Sequence, residues 1–438
     1  MGRPVSDVFR CGRAIAGARE QRDYTFAVRD GRFAECHGER RPERAEAEPP
    51  TRSFPADRLV VPGFVNGHSH AYQILLRGWA DDWTFARWRS DALYRIVPQL
   101  TVEDVYWVFV AAFSEMLAAG ITTVAEFFYL NGEGNARAEA AISAARDTGI
   151  RLVFARTWMD APTAPAAFRE TIEQATERTL ELMNRFPEAN VCVAPHSLHA
   201  ASPQMVRAAA EFARAHGRAM HVHVAEASYE GEQTLAEHGA TPIALLDRLG
   251  ALDERTVAIH AIYITTDEMR LLAERGTRVI HCPTTNQYLG DGTCDVVGLR
   301  ALGVSVGLGT DADVKPSLID EMRAASMLQK LARRDGSALG ASEAFAMGTT
   351  EGAAALGVSA GDIAPGLFAD FVVLDGTRID PWSPAVNALV YRGESAWVQA
   401  TYVNGRRVYS GAPSPLAIEA AQQTARIAER LGSGTRSS

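Results

Sequence analysis

From residue 59 onward the chain alternates short β-branched apolar runs with stretches whose apolar residues recur at helical spacing, the pattern of repeated βα units. Eight runs read as strands, at 59–65, 122–126, 151–157, 191–195, 219–226, 256–260, 277–282 and 304–311. Helical periodicity falls between them at 136–148, 171–185, 203–216 and 266–274. Eight parallel strands joined by helical crossovers predict a (β/α)8 TIM barrel over 59–365. The flanks read differently: residues 25–36 and 368–411 carry short strand-like runs punctuated by Asp-Gly and Asn-Gly pairs, which are hairpin signals. Neither flank can bury a good core alone. Residues 1–58 and 366–412 are therefore expected to pair into one small β-sandwich beside the barrel, with a C-terminal helix and tail over 413–438, the helix at 415–431 and frayed residues from 432.

Composition narrows the class without changing this picture. In 438 residues, 47% are hydrophobic and 22% charged, ample for a large globular core. A net charge of −9 carries no footprint for nucleic acid or an anionic membrane, so a small-molecule partner is expected. Cys11, Cys36, Cys192, Cys282 and Cys294 form no CxxC pair, which fits a reducing compartment. The first twenty residues lack the apolar region of a signal peptide. The most apolar stretch, 105–121, is interrupted by Ser114 and Glu115 and falls short of the ~20 residues of a membrane span. A soluble, cytoplasmic homodimer is the expectation.

The histidines carry the chemistry. Of eleven, only His37, His216 and His238 fall away from predicted strand ends; His68, His70, His196, His199, His221, His223, His260 and His281 lie at or just after one. Active sites of this barrel sit at the C-terminal ends of its strands, so the clustering selects one face. His68 and His70 close the first strand two residues apart and so point to the same side. The fifth strand repeats the device in His221-Val-His223-Val-Ala-Glu226, and the eighth ends at Asp311. Three imidazoles and a carboxylate suit Zn2+ or a similar divalent ion with one position left for water, whose pKa the ion would lower towards ~7. Glu226 is placed to relay a proton to a leaving nitrogen, Asp311 to ligate and act as base, and His260 to polarise the substrate carbon.

These segments resemble the amidohydrolase superfamily of metal-dependent hydrolases. The marks are PGFVNGHSH, HVHVAE, AIHA, HCPTTNQYLGDG, GLGTDA with the following EMR, and the returning APGLFADFVVLD, spread from 59 to 411. The resemblance implies His68, His70, His223 and Asp311 as metal ligands, Glu226 as proton shuttle and His260 as electrophilic partner, with His221 behind them. Relatives with two metals bridge them through a lysine on the fourth strand. Here that strand reads Val191-Cys-Val-Ala-Pro-His196, so one divalent ion is expected, zinc, with iron as the other metal relatives take.

Within the superfamily, HSHAYQILLRG, EFFYLN, PHSLHA and CPTTNQYLGDG look like the formiminoglutamate deiminases, and that resemblance maps substrate contacts onto Gln73, Tyr129 and His196. Where that family has an arginine for a substrate carboxylate, this chain has His199, which cannot reproduce a bidentate fork. Arg89, Arg87 or Arg95 could serve a carboxylate instead, and Arg89 is taken as the contact. LLRGWADDW and TTEGAAALG look more like the triazine, purine and pyrimidine deaminases, with Trp79, Trp83 and Trp88 in a connection where a lid over a flat ring would be useful. The leading expectation is hydrolytic deamination of a formimino substrate. The alternatives are an aminated heterocycle, a dehydrative ring closure at an amide in a biosynthetic pathway, or an inactive metal-binding scaffold.

Overall fold

The computed structural model describes residues 7–38, 52–79, 81–132 and 134–432; of the tail expected to fray from 432, Gly432 closes the C-terminal helix and 433–438 lie outside the described residues. Eight strands, Phe64–Ser69, Ile121–Phe128, Arg151–Trp158, Cys192–Pro195, Met220–Val224, Thr256–His260, Arg278–His281 and Val306–Leu308, follow one another in spatial as in chain order, each parallel to the next. Closure comes from the backbone between the eighth and first strands: Thr310 and Asp311 both donate to the His68 carbonyl at 3.0 Å, and His70 donates to that of Asp311 at 2.8 Å. The result is the expected barrel, with the loops that follow the strands gathered at one mouth.

Crossover helices begin and end where their caps dictate. Helix Ala136–Thr148 stops at Gly149, whose φ of +82° gives the left-handed cap. Pro203–His216 starts after Ser202, whose hydroxyl accepts from the Met205 amide, and ends at Gly217. In Ile172–Arg185, Thr171 is the cap and not the first helical residue. No single helix among the described residues is long and apolar enough to cross a membrane.

The first predicted strand needs correction. Residues 59–65 do not form one strand: Arg58–Pro62 belongs to the flanking sheet, and the barrel strand begins at Phe64. Gly63 makes the break, its amide donating to the Asp370 carbonyl at 2.9 Å. The apolar run could not reveal the change of sheet, because Leu59–Val65 is buried on both faces throughout.

The flanks build a second eight-stranded sheet, ordered Arg406–Tyr409, Val398–Val403, Phe371–Asp375, Arg58–Pro62, Asp7–Ala16, Arg19–Arg29, Arg32–His37, with the short Arg52–Ser53 beside Asp7–Ala16. Asp7–Ala16 and Val398–Val403 are three strand spacings apart, roughly 14 Å in a flat sheet. Yet the rings of Phe9 and Tyr402 lie 5.8 Å apart. The sheet therefore curls over a shared aromatic core of Phe9, Phe26, Phe33, Phe371 and Tyr402, so the expected sandwich of the two flanks is built from one continuous sheet. The C-terminal helix, Pro415–Gly432, packs on Val102–Ala118 outside the barrel.

Candidate metal centre and active site

Three strand-end turns aim the site residues, and each contains a residue in the left-handed region that an L side chain enters at a cost of about 1–3 kcal/mol. Ala225 at φ +52° turns the chain between His223 and Glu226; His260 and Asp311 adopt φ +72° and +52° themselves. The turn at Glu226 is held by Glu230, which accepts from the amides of Ala225, Glu226 and Ala227 at 3.0, 3.1 and 2.9 Å. The turn at Asp311 is tied to the first strand by Asn66 Nδ2 donating to Thr310 Oγ1 at 2.7 Å and by Ser69 Oγ donating to Asp313 Oδ2 at 2.6 Å.

Close approach here requires glycine. A Cβ on Gly309 would meet Cβ, N and O of His68 at 2.8–2.9 Å. Gly309→Ala is expected to destabilise the protein by about 1–3 kcal/mol, the usual overpacking range, and to lower divalent-metal content with it. Denaturant unfolding together with metal analysis checks this, and a variant with unchanged stability and unchanged metal content would contradict it.

The predicted ligands converge. His68 Nε2 lies 3.2 Å from Asp311 Oδ1 and 3.2 Å from His223 Nε2; His70 Nε2 lies 3.5 Å from the same carboxylate oxygen and 3.3 Å from His223 Nε2. His260 also enters the cluster: one ligand atom each from His68, His223, His260 and Asp311 all fall within 4.8 Å of one another. All five side chains are buried. Burial holds the His70 imidazole down to about 3, that of His260 to about 4, and that of His223 well below its ordinary value, so these rings are neutral at physiological pH. Burial alone would raise the Asp311 carboxyl, but the hydrogen bond with His68 and the neighbouring imidazoles hold it below the ordinary carboxylate value.

The donor set fits a cation. His70 Nδ1 is 2.8 Å from the Phe127 carbonyl, and His223 Nδ1 is 2.9 Å from that of His196. A carbonyl only accepts, so both rings carry their proton on Nδ1 and turn an Nε2 lone pair inward. Two lone pairs facing at 3.3 Å beside a carboxylate repel one another unless a positive charge lies between them.

Above the cluster is a cavity of about 50 Å3 lined by His70, Gln73, Phe85, Trp88, Arg89, Leu93, Tyr94, Tyr129, His196, His199, His223, Glu226, Leu289, Asp311 and Ala312. All five predicted substrate contacts are thus on its wall beside the ligands. Gln73 Nε2 donates to the Tyr129 hydroxyl at 3.1 Å, and His196 Nδ1 lies 3.0 Å from Ser197 Oγ. Burial, then Arg89, depresses His199 to about 4. Glu226 is pushed well above the carboxylate range by burial and by the carboxylates of Asp311, Asp291 and Glu230. His260 Nε2 stands 3.4 Å from Glu226 Oε1 and 3.8 Å from Asp311 Oδ2. Of the three tryptophans in the connection, only Trp88 reaches the cavity; Trp83 stacks under the Arg87 guanidinium at 3.9 Å, and Trp79 packs toward Gly432. Phe85, Leu93 and Tyr94 were missed, since that segment has no regular period.

A closed parallel barrel that gathers imidazoles and a carboxylate at its C-terminal mouth is the framework of a metallohydrolase. The sequence model of the amidohydrolase family matches residues 59–408, and the chain belongs to that family. It is a hydrolase acting on non-peptide C–N bonds. It is 31% identical over 368 residues to a 5-methylthioadenosine/S-adenosylhomocysteine deaminase of Pelotomaculum thermopropionicum, covering 82% of each chain. With a 5'-deoxyadenosine deaminase of Methanothermobacter thermautotrophicus the identity is 33%, over 80% of this chain and 81% of that one. A zinc-bound crystal structure of an adenosine deaminase from Xanthomonas campestris superposes with a TM-score of 0.87 at 26% identity, covering 96% of this chain and 98% of that one. A zinc complex of atrazine chlorohydrolase from Arthrobacter aurescens shares the fold, with a TM-score of 0.88 at 22% identity over 96% and 99%.

Proposed function

We propose that this chain is a deaminase of an aminated nitrogen heterocycle, acting at a ring carbon of amidine type and using a single divalent ion. The carrying observation is the cavity wall: Phe85, Trp88, Tyr94 and Tyr129 offer aromatic surface in the same cavity as Glu226 and Asp311, while His199, depressed to about 4, is a neutral ring where the formiminoglutamate deiminases carry a carboxylate-binding arginine. Relatives named for deaminating adenosine derivatives support the same substrate class. Both counts favour the heterocycle over the formiminoglutamate expectation.

His68, His70, His223 and Asp311 would hold the ion, with zinc the first candidate. Such an ion supplies Lewis acidity at neutral pH. The remaining chemistry belongs to the chain. Stacking on the aromatic wall orients the flat ring and keeps bulk water out. Glu226, whose carboxyl burial pushes up, donates to the ring nitrogen next to the carbon under attack and regains a proton from the added hydroxyl as the amine leaves. Asp311 Oδ2 takes a proton from the attacking water and passes it to the departing amino group. His260 donates a hydrogen bond from Nε2 to the oxygen entering that carbon. Water is consumed, a C–O bond replaces the C–N bond, and ammonia leaves.

A second reading, a formimino amino acid, is favoured by one observation: Arg89 lines the cavity on the turn of π-helix Trp88–Leu93 and can meet a carboxylate. Ammonia release compared between aminopurine nucleosides and N-formimino-L-glutamate separates the two. The expectation is a kcat/KM at least ~100-fold higher for the heterocycles, about 2.7 kcal/mol, and an Arg89→Ala variant that keeps heterocycle turnover within ~10-fold. Preference for the formimino acid, abolished by that same variant, would replace the first reading with the second.

A further inference from the structure

His260 lies close enough to the centre to serve as a ligand, and whether it does depends on which ring nitrogen carries the proton. His70 and His223 each spend Nδ1–H on a backbone carbonyl. His260 does not: the group facing its Nδ1 is the side-chain amide nitrogen of Asn286, at 3.4 Å. That nitrogen donates and cannot accept, so His260 Nδ1 must be the lone-pair side of the ring. The same Asn286 nitrogen lies 3.3 Å from Asp291 Oδ2, and the two contacts together set this orientation of the amide. The orientation persists although Asn286 Oδ1 is then buried with no hydrogen-bond partner among the described residues. On the other side of the ring, Nε2 has two carboxyl oxygens nearby, Glu226 Oε1 at 3.4 Å and Asp311 Oδ2 at 3.8 Å. The ring is fully buried, so solvent does not choose the tautomer.

We infer that Asn286 is a positioning residue that fixes His260 in the Nε2–H tautomer, which withholds it from the ion and keeps it a hydrogen-bond donor to the reacting group. The inference rests on the proposed reaction only for its kinetic consequence; the tautomer itself belongs to the protein without substrate. Asn286 occupies a helix of its own, Pro283–Leu289, with Asp291 just beyond its end, so the seventh strand's loop controls the sixth strand's histidine.

The test has two arms. Nitrogen-15 NMR of imidazole-labelled, metal-free protein, with the His260 signals assigned by their loss in His260→Ala, is expected to show a protonated Nε2 and an unprotonated Nδ1. In Asn286→Asp, measured at a pH above the titration of both the new carboxyl and Asp291, a pure acceptor faces Nδ1, and the proton is expected to move there. That variant should lose ~100- to 10,000-fold in kcat, the range for a misplaced general acid or base, with KM within ~3-fold and zinc content not reduced. Asn286→Gln, which keeps the donor, should retain more activity than Asn286→Asp. A wild-type His260 protonated at Nδ1, or a tautomer unmoved by Asn286→Asp, overturns the inference. Should Asn286→Asp fail to fold, the wild-type spectrum still decides. If no heterocycle is turned over, the proposed function falls while the tautomer result stands by itself.

Discussion

Asp311→Asn is expected to cut turnover at least about 10⁴-fold while the barrel stays folded. The carboxylate is given two tasks, the single negative charge among neutral imidazoles and the base that takes the proton of the attacking water. General-base catalysis alone is worth about 10²–10⁴. Asparagine is the informative replacement. It keeps the side chain's shape and, like aspartate, tolerates the left-handed backbone found here at φ +52°. The backbone bonds that close the barrel, Asp311 N to His68 O at 3.0 Å and His70 N to Asp311 O at 2.8 Å, do not involve the side chain and survive. Zinc content should fall as well, because three neutral imidazoles would then bind a dication with no anionic partner. Kinetics, metal analysis and a thermal melt on one preparation check the whole statement. A variant with more than about a hundredth of wild-type activity would remove Asp311 from both roles.

Glu226→Gln should lower kcat by about 10²–10⁴, with zinc stoichiometry unchanged. The separation of the two readouts is the point of the experiment. Glu226 lines the cavity, outside the tightest set of ligand atoms, and its carboxyl is pushed up by burial and by three neighbouring carboxylates, the environment that keeps an acid loaded with its proton at neutral pH. Glutamine retains the volume and the hydrogen-bonding reach but holds no transferable proton. If activity and zinc disappear together, Glu226 is a ligand or a support for the ligands. If kcat is unaffected, the proton reaches the ring nitrogen by another route.

Much of this site was legible before any coordinates, for identifiable reasons. A parallel barrel delivers every strand's C-terminal end to one mouth, so histidines at strand ends are brought together whatever the intervening sequence does. HxH spacing survives translation into structure because the strand period of two puts both rings on one side. The cavity-wall residues Gln73, Tyr129, His196 and His199 follow the same logic, each lying just beyond a strand. Arg89 is different: its neighbours Arg87 and Arg95 offered the same charge, and the turn of π-helix, invisible to period counting, turned Arg89 inward while Arg87 stacked on Trp83.

The sequence by itself determined the barrel and the face that carries the chemistry, because strand periodicity and chain order are local properties, while the choice of side chains at the centre, His223 over His221 among them, came from the family resemblance. Tertiary structure alone decided where the first strand changes sheets at Gly63, how the flanking sheet curls until Phe9 meets Tyr402, which aromatic residues roof the cavity, and on which nitrogen each histidine carries its proton. Those outcomes depend on partners far away in the chain, a carbonyl from one strand or an amide from another, and no pattern within a single segment records who its neighbours will be.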